Sequence, residues 1–205
     1  MILETPMNAG EATEFMDMEK PKDVFKQRAA IFISFLAMLL AITGLGGQNA
    51  GKETLNNNIQ AANAFNFYQA KNIRQTSLIL AVDEIELAWA ATPGLSDEAR
   101  AALAKKLETY KANIARYESE PSTGEGKKEL LVRARVHEEA RDRAMKQDPY
   151  FDYAEALLQI AIVLISVSLV AEILWLAFMG GGLGLIGALL MINGFTLLVE
   201  VPWLS

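Results

Sequence analysis

The sequence predicts an all-α integral membrane protein with one N-terminal span, an extramembrane antiparallel helical hairpin and a C-terminal two-span hairpin. The charge distribution is the first reason: all 19 lysines and arginines lie between Lys20 and Lys146, and no charge occurs from Ile173 to Val199. The second is the absence of the period-two alternation that is typical of β-strands. The third is that lipid-length apolar runs must satisfy their backbone hydrogen bonds internally, which favours helices.

The first 28 residues form a polar N-terminal tail, predicted to be partly disordered because Pro6, Gly10 and Pro21 oppose a long helix. Residues 29–47 contain no charge and extend roughly 28 Å as a helix, close to the hydrocarbon thickness of a bilayer. They are predicted to be span one. A cleaved signal peptide is the alternative, but a signal n-region is short and basic, whereas this leading segment is long and acidic.

Residues 48–148 form the predicted helical extramembrane domain, since Ala, Glu, Leu, Lys and Arg dominate it. Helix A is expected from Lys52 to Ala91, ended by Thr92-Pro93-Gly94. Helix B starts after the N-cap Ser96. Its apolar stripe has spacings of four, three, four and three, typical of a bundle seam: Leu103, Leu107, Tyr110, Ile114 and Tyr117.

Helix C is predicted from Lys127 to Lys146, after a break from Pro121 to Gly126. Its stripe is weaker, consisting of Leu130, Ala134, Val136 and Ala140. The summed length of helices B and C nearly matches that of helix A, so we expect a hairpin in which helix A meets helix B distally and helix C proximally. The distal contact would use Ile79, Val82 and Trp89.

Two further spans are predicted at the C-terminal end of the chain. Asp148-Pro149 is expected to restart the helix as N-cap and first residue, with an aromatic belt at Tyr150, Phe151 and Tyr153. Span two then covers residues 149–179, Gly180-Gly181-Gly182 form the turn, and span three covers residues 183–201. Pro202 and Trp203 are expected to close span three at the interface.

The basic residues give two conflicting signals for orientation. Lys20, Lys22, Lys26 and Arg28 precede span one and only Lys52 follows it closely, which places the N-terminus in the cytoplasm. The basic residues before span two instead favour a cytoplasmic location for the central domain: Arg135, Arg141, Arg143 and Lys146. Because the rule is weak for long loops, we give more weight to span one and expect an extracytoplasmic helical domain.

The string N-F-Y-Q-A-K-N-I-R runs from Asn66 to Arg74. With one span before it and two at the C-terminal end, it resembles the bacterial domain-of-unknown-function family 4337, whose members share this layout and an aromatic-Tyr-Gln-Ala-Lys signature. The resemblance implies the one-plus-two arrangement of spans, and no activity is assigned to the family. The chain departs from the family pattern at the Gly-rich segment 180–182, which is often basic there, and at the helix break near Pro121.

Helix A is rich in amide side chains, with aromatic residues set among them. Side-chain amides both donate and accept hydrogen bonds, so such a helix could specify register against a partner. One face is predicted to carry residues 65, 68, 72, 75, 79 and 82. Ordinary packing against helix B is the alternative. The candidate partner-binding residues are Phe65, Phe67, Tyr68, Gln69, Lys71, Asn72 and Arg74.

Lys71 and Arg74 are open to two interpretations. They could bind an anionic headgroup or a partner carboxylate, or they could pair with glutamates of helices B and C on a solvated face.

Two polar residues are candidates within the predicted spans. Glu172 is an intramembrane carboxylate, the kind of residue that often marks function, although its position also fits a side chain reaching the far interface. Asn193 could hydrogen-bond Ser166, Ser168 or Glu172 across the hairpin.

The sequence offers no basis for catalysis or cofactor binding. It has no Cys and a single His, which removes thiol chemistry and zinc fingers. His137-Glu138-Glu139 with Asp142 is expected to be a solvated charged face. Nucleotide-binding, hydrolase and zincin motifs are absent, and a net charge of −6 argues against nucleic-acid binding. We expect no enzyme and no cofactor.

These observations favour a non-enzymatic scaffold or accessory subunit of an inner-membrane assembly. Its partners would be the lipid bilayer and other membrane protein subunits or further copies of itself, contacted through helix A and the spans. An oligomeric channel or transporter component that uses Glu172 and Asn193 is the alternative.

Overall fold

The computed structural model describes the backbone of residues 9–201 and the side chains of residues 24–201. This part of the chain forms four α-helices: α1 (Ala9–Ala91), α2 (Asp97–Glu118), α3 (Lys127–Ala171) and α4 (Leu174–Thr196). The all-α prediction is confirmed. The predicted tail lies partly outside the described residues, and from Ala9 onward its backbone belongs to α1. The predicted interface residues Pro202 and Trp203 also lie outside them.

The chain divides into two compact units. The terminal unit combines the part of α1 up to Gly51 with the chain from Met145 onward, and the central unit comprises residues 52–144. Three helices are long and apolar enough to cross a membrane: α1 from Val24, α3 and α4. Their length and hydropathy indicate a membrane location.

The core of the terminal unit lies between α1 and α3. Leu36 of α1 and Leu158 and Ile165 of α3 are almost completely buried, and Leu183 of α4 packs against them. α1 and α3 contribute aliphatic side chains to this core, whereas the buried face of α4 consists mostly of glycines. Many other aliphatic side chains of this unit are exposed, as expected for surfaces that face lipid.

The predicted turn at Gly180-Gly181-Gly182 is wrong, because these residues lie inside α4. The connection between α3 and α4 is instead Glu172-Ile173, where Glu172 adopts a left-handed backbone conformation with φ of 54°. The physical reason is packing. A Cβ at Gly180 would approach the Cγ1 of Ile165 to 2.7 Å, so the glycine is needed for close helix contact rather than for a turn. The helices that contain spans two and three therefore meet at Glu172-Ile173 and not at residues 180–182.

The predicted helix start at Asp148-Pro149 is also wrong, because α3 continues through Pro149. An interior proline removes one helix hydrogen bond and crowds the carbonyl group four residues earlier, and burial of Tyr150 and Phe151 offsets this cost. The Tyr150 hydroxyl donates to the carbonyl oxygen of Val199 (3.1 Å), and the ring of Phe151 packs edge-on against Phe195. These two aromatic residues are therefore core residues and not an aromatic belt; Tyr153 alone is exposed.

The central unit pairs α1 with α2 and α3 in an antiparallel sense. Lys111 of α2 contacts Glu86 of α1 (2.7 Å). His137 of α3, which comes later in the chain, contacts Asn57, which comes earlier in α1 (2.9 Å). α2 and α3 therefore run in the opposite direction to α1. Ser96 caps α2 as predicted, its hydroxyl accepting from the Ala99 amide. The partly buried face of α2 includes every predicted stripe residue: Leu103, Leu107, Tyr110, Ile114 and Tyr117.

Two predicted faces of the central unit need correction. On α1, Asn72 and Ile79 are exposed, and Lys71 and Leu78 take their places toward the interior. Lysine can occupy such a position because its aliphatic stem is buried while its ammonium reaches a partner.

On α3, Val136 is 57% exposed and His137 lies at the contact with α1 instead. α1 and α3 both bury alanines, which permits close approach of their backbones: Ala61, Ala64, Ala134 and Ala144. The stripe of helix C looked weak in the sequence because it consists of small residues.

Candidate functional site

The signature segment from Asn66 to Arg74 is divided between two faces of α1. Tyr68 and Lys71 are partly buried against the rest of the central unit, whereas most of the other signature side chains are exposed. A helix advances about 100° per residue, so a segment this short presents residues to every side. The two faces therefore need separate descriptions, as an inward junction and an outward surface.

Gln75, one helical turn beyond Lys71, is the centre of the inward junction and is only 8% exposed. Its amide nitrogen donates to the carbonyl oxygen of Ile114 (3.0 Å) and to Oε2 of Glu118 (3.2 Å). Its amide oxygen accepts from Nζ of Lys127 (2.7 Å). One amide thus connects α1 to the end of α2 and to the beginning of α3.

Lys127 and Lys71 add charge to this junction. Nζ of Lys127 lies 3.3 Å from Glu118 and 5.5 Å from the centre of the Tyr68 ring, a cation–π geometry. Nζ of Lys71 lies 3.6 Å from Glu125 and 3.9 Å from Glu120. Lys71 therefore pairs with glutamates, as one interpretation predicted, but both glutamates lie in the connection between α2 and α3 rather than in helix B or C.

The connection between α2 and α3 is shaped by two glycines. Gly124 has a φ of 68°, a conformation that side chains rarely adopt. A Cβ at Gly126 would collide with the backbone nitrogen of Glu120. The Ser119 hydroxyl donates to Glu129 (2.6 Å), which ties the end of α2 to the first turn of α3. The break predicted near Pro121 is therefore an ordered connection.

Two carboxyl groups of the junction have lowered pKa values. The hydrogen bond from Gln75, followed by that from Lys127, lowers the pKa of Glu118. The hydrogen bond from Ser119, followed by that from the Glu120 amide, lowers the pKa of Glu129. Both carboxyl groups are stabilised as carboxylates because these bonds favour the charged form. The junction is thus a structural network in which each lysine contacts at least one carboxylate.

The outward surface of α1 holds the other candidate residues. Phe67 is 63% exposed, and Gln69, Asn72 and Arg74 are exposed as well. Phe65 is partly buried. Of the seven candidates, the structure therefore places Phe65, Tyr68 and Lys71 toward the interior of the central unit and leaves four available to a partner.

The two polar candidates of the terminal unit do not lie together. Glu172 is in the α3–α4 connection, 3.9 Å from Nζ of Lys26. Asn193 is in the last turn of α4, roughly 30 Å away along the helix. The predicted partners of Asn193 are wrong: its amide nitrogen donates to the carbonyl oxygen of Val199 and its oxygen accepts from the Val199 amide. Asn193 thus holds the segment that follows α4, after Leu197 has ended the helix in a left-handed conformation.

Sequence reasoning placed Gln75 on the predicted face of helix A, but it did not single out Glu118 and Lys127, which complete the junction. The available signal was the spacing of Tyr68, Lys71 and Gln75 by three and four residues, which puts them on one face. Among the described residues, no group of three or more His, Cys, Asp or Glu side chains could hold a metal ion.

Comparison with known proteins identifies a family. The profile of a family described as a domain of unknown function, DUF4337, matches residues 25–197. No curated protein and no solved structure is detectably similar to the chain. The match includes the signature segment, the junction and all three candidate spans. The chain therefore belongs to the DUF4337 family.

Proposed function

We propose that this protein is a non-enzymatic scaffold or accessory subunit of a bacterial inner-membrane assembly. One observation carries the proposal: the outward surface of α1 exposes Phe67 among amide side chains. Aromatic residues are enriched at protein interfaces, where they supply contact area with little loss of conformational entropy. Here the exposed ring is accompanied by Gln69 and Asn72, which can donate and accept hydrogen bonds to a partner backbone or side chain.

The inward junction supports this role because it orients the outward surface. Gln75 and Lys71 hold α1 against the α2–α3 connection at the same level of the helix as Phe67. Residues that fix the rotation of a helix also fix the direction in which its opposite side points. A preorganised surface loses less entropy when a partner binds.

The proposed orientation places the N-terminus in the cytoplasm and the central unit outside it. The four basic residues before span one support this orientation. Lys26 and Glu172 contact each other, so the start of span one and the α3–α4 connection share one end of the terminal unit. Three helices that alternate in direction across the bilayer would have this arrangement.

Orientation can be tested with single cysteines, because the chain has none of its own. Ala101→Cys lies on the exposed side of α2 and Val24→Cys precedes span one. In intact spheroplasts, a membrane-impermeant maleimide should label the first variant and not the second. Labelling of Val24→Cys alone before lysis would reverse the proposed topology.

The scaffold role can be tested by purifying the protein in native membrane particles and determining the masses of its complexes. The variant Phe67→Ser/Asn72→Ala should lose co-purifying subunits, since it removes the exposed ring and one amide. Thr109→Ala, on the exposed side of α2, is the matched control and should retain them. If the double variant keeps every subunit that the natural protein holds, the outward surface of α1 is not the contact.

A further inference from the structure

We infer that a second copy of this chain occupies part of the outward surface, with the two α1 helices paired in parallel along an apolar seam. This inference rests on the proposed function and names one partner for the same helix. The seam is defined by one row of residues in the central unit: Leu55, Ile59, Asn66, Ile73, Leu80 and Leu87.

The seam is exposed along its whole length. Its five aliphatic side chains are between 49% and 72% exposed, although each lies on a helix whose opposite side is packed against α2 and α3. Isolated exposed leucines are common on protein surfaces, but a continuous row is informative. In the central unit this row lies on the side of α1 opposite to the junction residues.

The spacing of the row is that of a coiled coil. Ile59, Asn66, Ile73, Leu80 and Leu87 follow one another at intervals of seven residues. Between them, at the second position of each heptad, lie Ala62, Gln69 and Thr76, and Leu55 precedes the first. A repeat of seven keeps the same side of two supercoiled helices in contact over many turns. The packed side of α1 already contacts α2 and α3, so this exposed repeat is available to pair with another helix.

The electrostatics of the seam fit an identical partner. No charged residue occurs in either heptad position from Leu55 to Leu80, and the first is Asp83. Two copies would therefore meet without like-charge repulsion over that length. Exposed amides flank the row, among them Asn56 and Asn63, and an amide can pair with a copy of itself because it both donates and accepts.

The membrane anchors favour a parallel pair, and Asn66 sets its register. A single Asn at the first heptad position, facing its own copy, specifies register and oligomeric state. Each α1 continues from a candidate span at the N-terminal side of the seam. Two copies anchored in one membrane in the same orientation enter the seam in the same chain direction.

The available area is sufficient for a specific contact. From Leu55 to Leu87 the helix extends about 50 Å, and a helix is about 10–12 Å wide. Such a strip offers on the order of 500 Å² per copy, or about 1,000 Å² in total, which reaches the lower range of biological interfaces. Anchoring in one membrane also raises the effective concentration of the copies, so a modest interface can suffice.

Disulfide crosslinking of single-cysteine variants in native membranes tests the inference. Ile73→Cys and Leu80→Cys lie on the seam, and Arg74→Cys is the matched control, since it is also exposed but lies about 100° around the helix from Ile73. Mild oxidation should give covalent dimers for the two seam variants and not for the control. Equal crosslinking of all three variants, or none on the seam, would overturn the seam.

A mixture of two variants tests the direction of pairing. Leu55→Cys and Leu87→Cys, expressed together with distinguishable tags, should form dimers only within each type if the helices are parallel. Crosslinks between the two types would show an antiparallel pair and would contradict the inference.

A variant that introduces a charge into the seam tests this inference independently of the proposed function. Introducing Ile73→Lys into the Leu80→Cys variant should reduce the covalent dimer roughly tenfold, because two ammonium groups would face each other. Co-purification of other subunits should persist, since Phe67 lies on a different side of the outward surface. Persistence of the dimer with Ile73→Lys would refute the seam, whereas loss of the other subunits with Phe67→Ser/Asn72→Ala concerns only the scaffold role.

Discussion

The two units of this chain bring helices together by different means. In the terminal unit, α4 contacts its neighbours through buried glycines, so that main chain and aliphatic side chains fit directly: Gly180, Gly184, Gly187 and Gly194. In the central unit, Gln75 and Lys127 connect three helices through hydrogen bonds and ion pairs. Shape specifies the first contact and polar complementarity specifies the second.

This difference agrees with the surroundings that the two sequences favour, which are lipid for the terminal unit and water for the central unit. Lipid tails are as apolar as leucine, so apolar burial alone does not select one helix arrangement over another within a bilayer, and close packing of small residues does. In water, apolar burial already drives association, and polar contacts of defined geometry then fix rotation and register. The glycine contacts of the terminal unit thus agree with the membrane location that its hydropathy indicates.

The largest effect should come from filling a glycine contact. Gly180→Ala would place its Cβ 2.7 Å from Ile165 Cγ1 and 2.9 Å from the carbonyl oxygen of Ala161. Because one neighbour is backbone, we expect a loss toward the upper end of the about 1–3 kcal/mol typical of over-packing. The measurement is the midpoint of unfolding in detergent, monitored by circular dichroism.

Gly181→Ala is the matched control, since nothing lies within 4 Å of its added Cβ. This variant should be neutral or gain up to about 1 kcal/mol from helix propensity. Equal destabilisation by both variants would mean that α4 does not pack through Gly180, and the contrast between the units would fail.

The next largest effect should come from the polar junction. Gln75→Ala removes three hydrogen bonds and leaves Glu118 and Lys127 without their buried partner, so we expect a loss of about 1–2 kcal/mol, within the range for unsatisfied buried groups. Amide hydrogen exchange of α2 and the first turns of α3 should report it. Gln60→Ala, which is exposed and lies outside the proposed contact surfaces, should change the protection by no more than about 0.5 kcal/mol.

A smaller effect is expected for the polar group of the terminal unit. Asn193→Ala removes both hydrogen bonds to Val199 and should cost about 0.6 kcal/mol, the average for side-chain hydrogen bonds in membrane proteins. Exchange should increase at the end of α4 only. If Asn193→Ala destabilises the protein more than Gly180→Ala does, polar contacts rather than shape govern the terminal unit.

The smallest effect concerns pH. Because the pKa of Glu118 is lowered below the 4.5 of an ordinary glutamate, its carboxylate stabilises the folded central unit fully above pH 4.5. That contribution is lost as pH falls through the lowered value. Hydrogen exchange of α2, corrected for its intrinsic pH dependence, should therefore rise at acidic pH. Glu118→Gln should weaken this dependence, whereas Glu108→Gln, on the exposed side of α2, should preserve it.

Local signals in the sequence determined the helices of the central unit. Thr92-Pro93-Gly94 ends α1, Ser96 caps α2, and the spacing of Leu103 and Leu107 identifies the buried side of α2. Each of these features depends on residues within about one turn of each other, because capping and helix periodicity act over that distance. The charge-free runs likewise identified three membrane-grade segments without knowledge of their partners.

Only the tertiary structure decided what Gly180, Pro149 and Asn193 do. Glycine can form a turn or a close contact, and the packed surface of Ile165 and Ala161 makes it a contact here. Proline can begin a helix or interrupt one, and burial of Tyr150 and Phe151 carries α3 through it. The same holds for the division of the signature, in which Lys71 turns inward because glutamates near the α2–α3 connection meet its ammonium group. These outcomes depend on residues distant in the sequence, and burial against them outweighs the local preference of the chain.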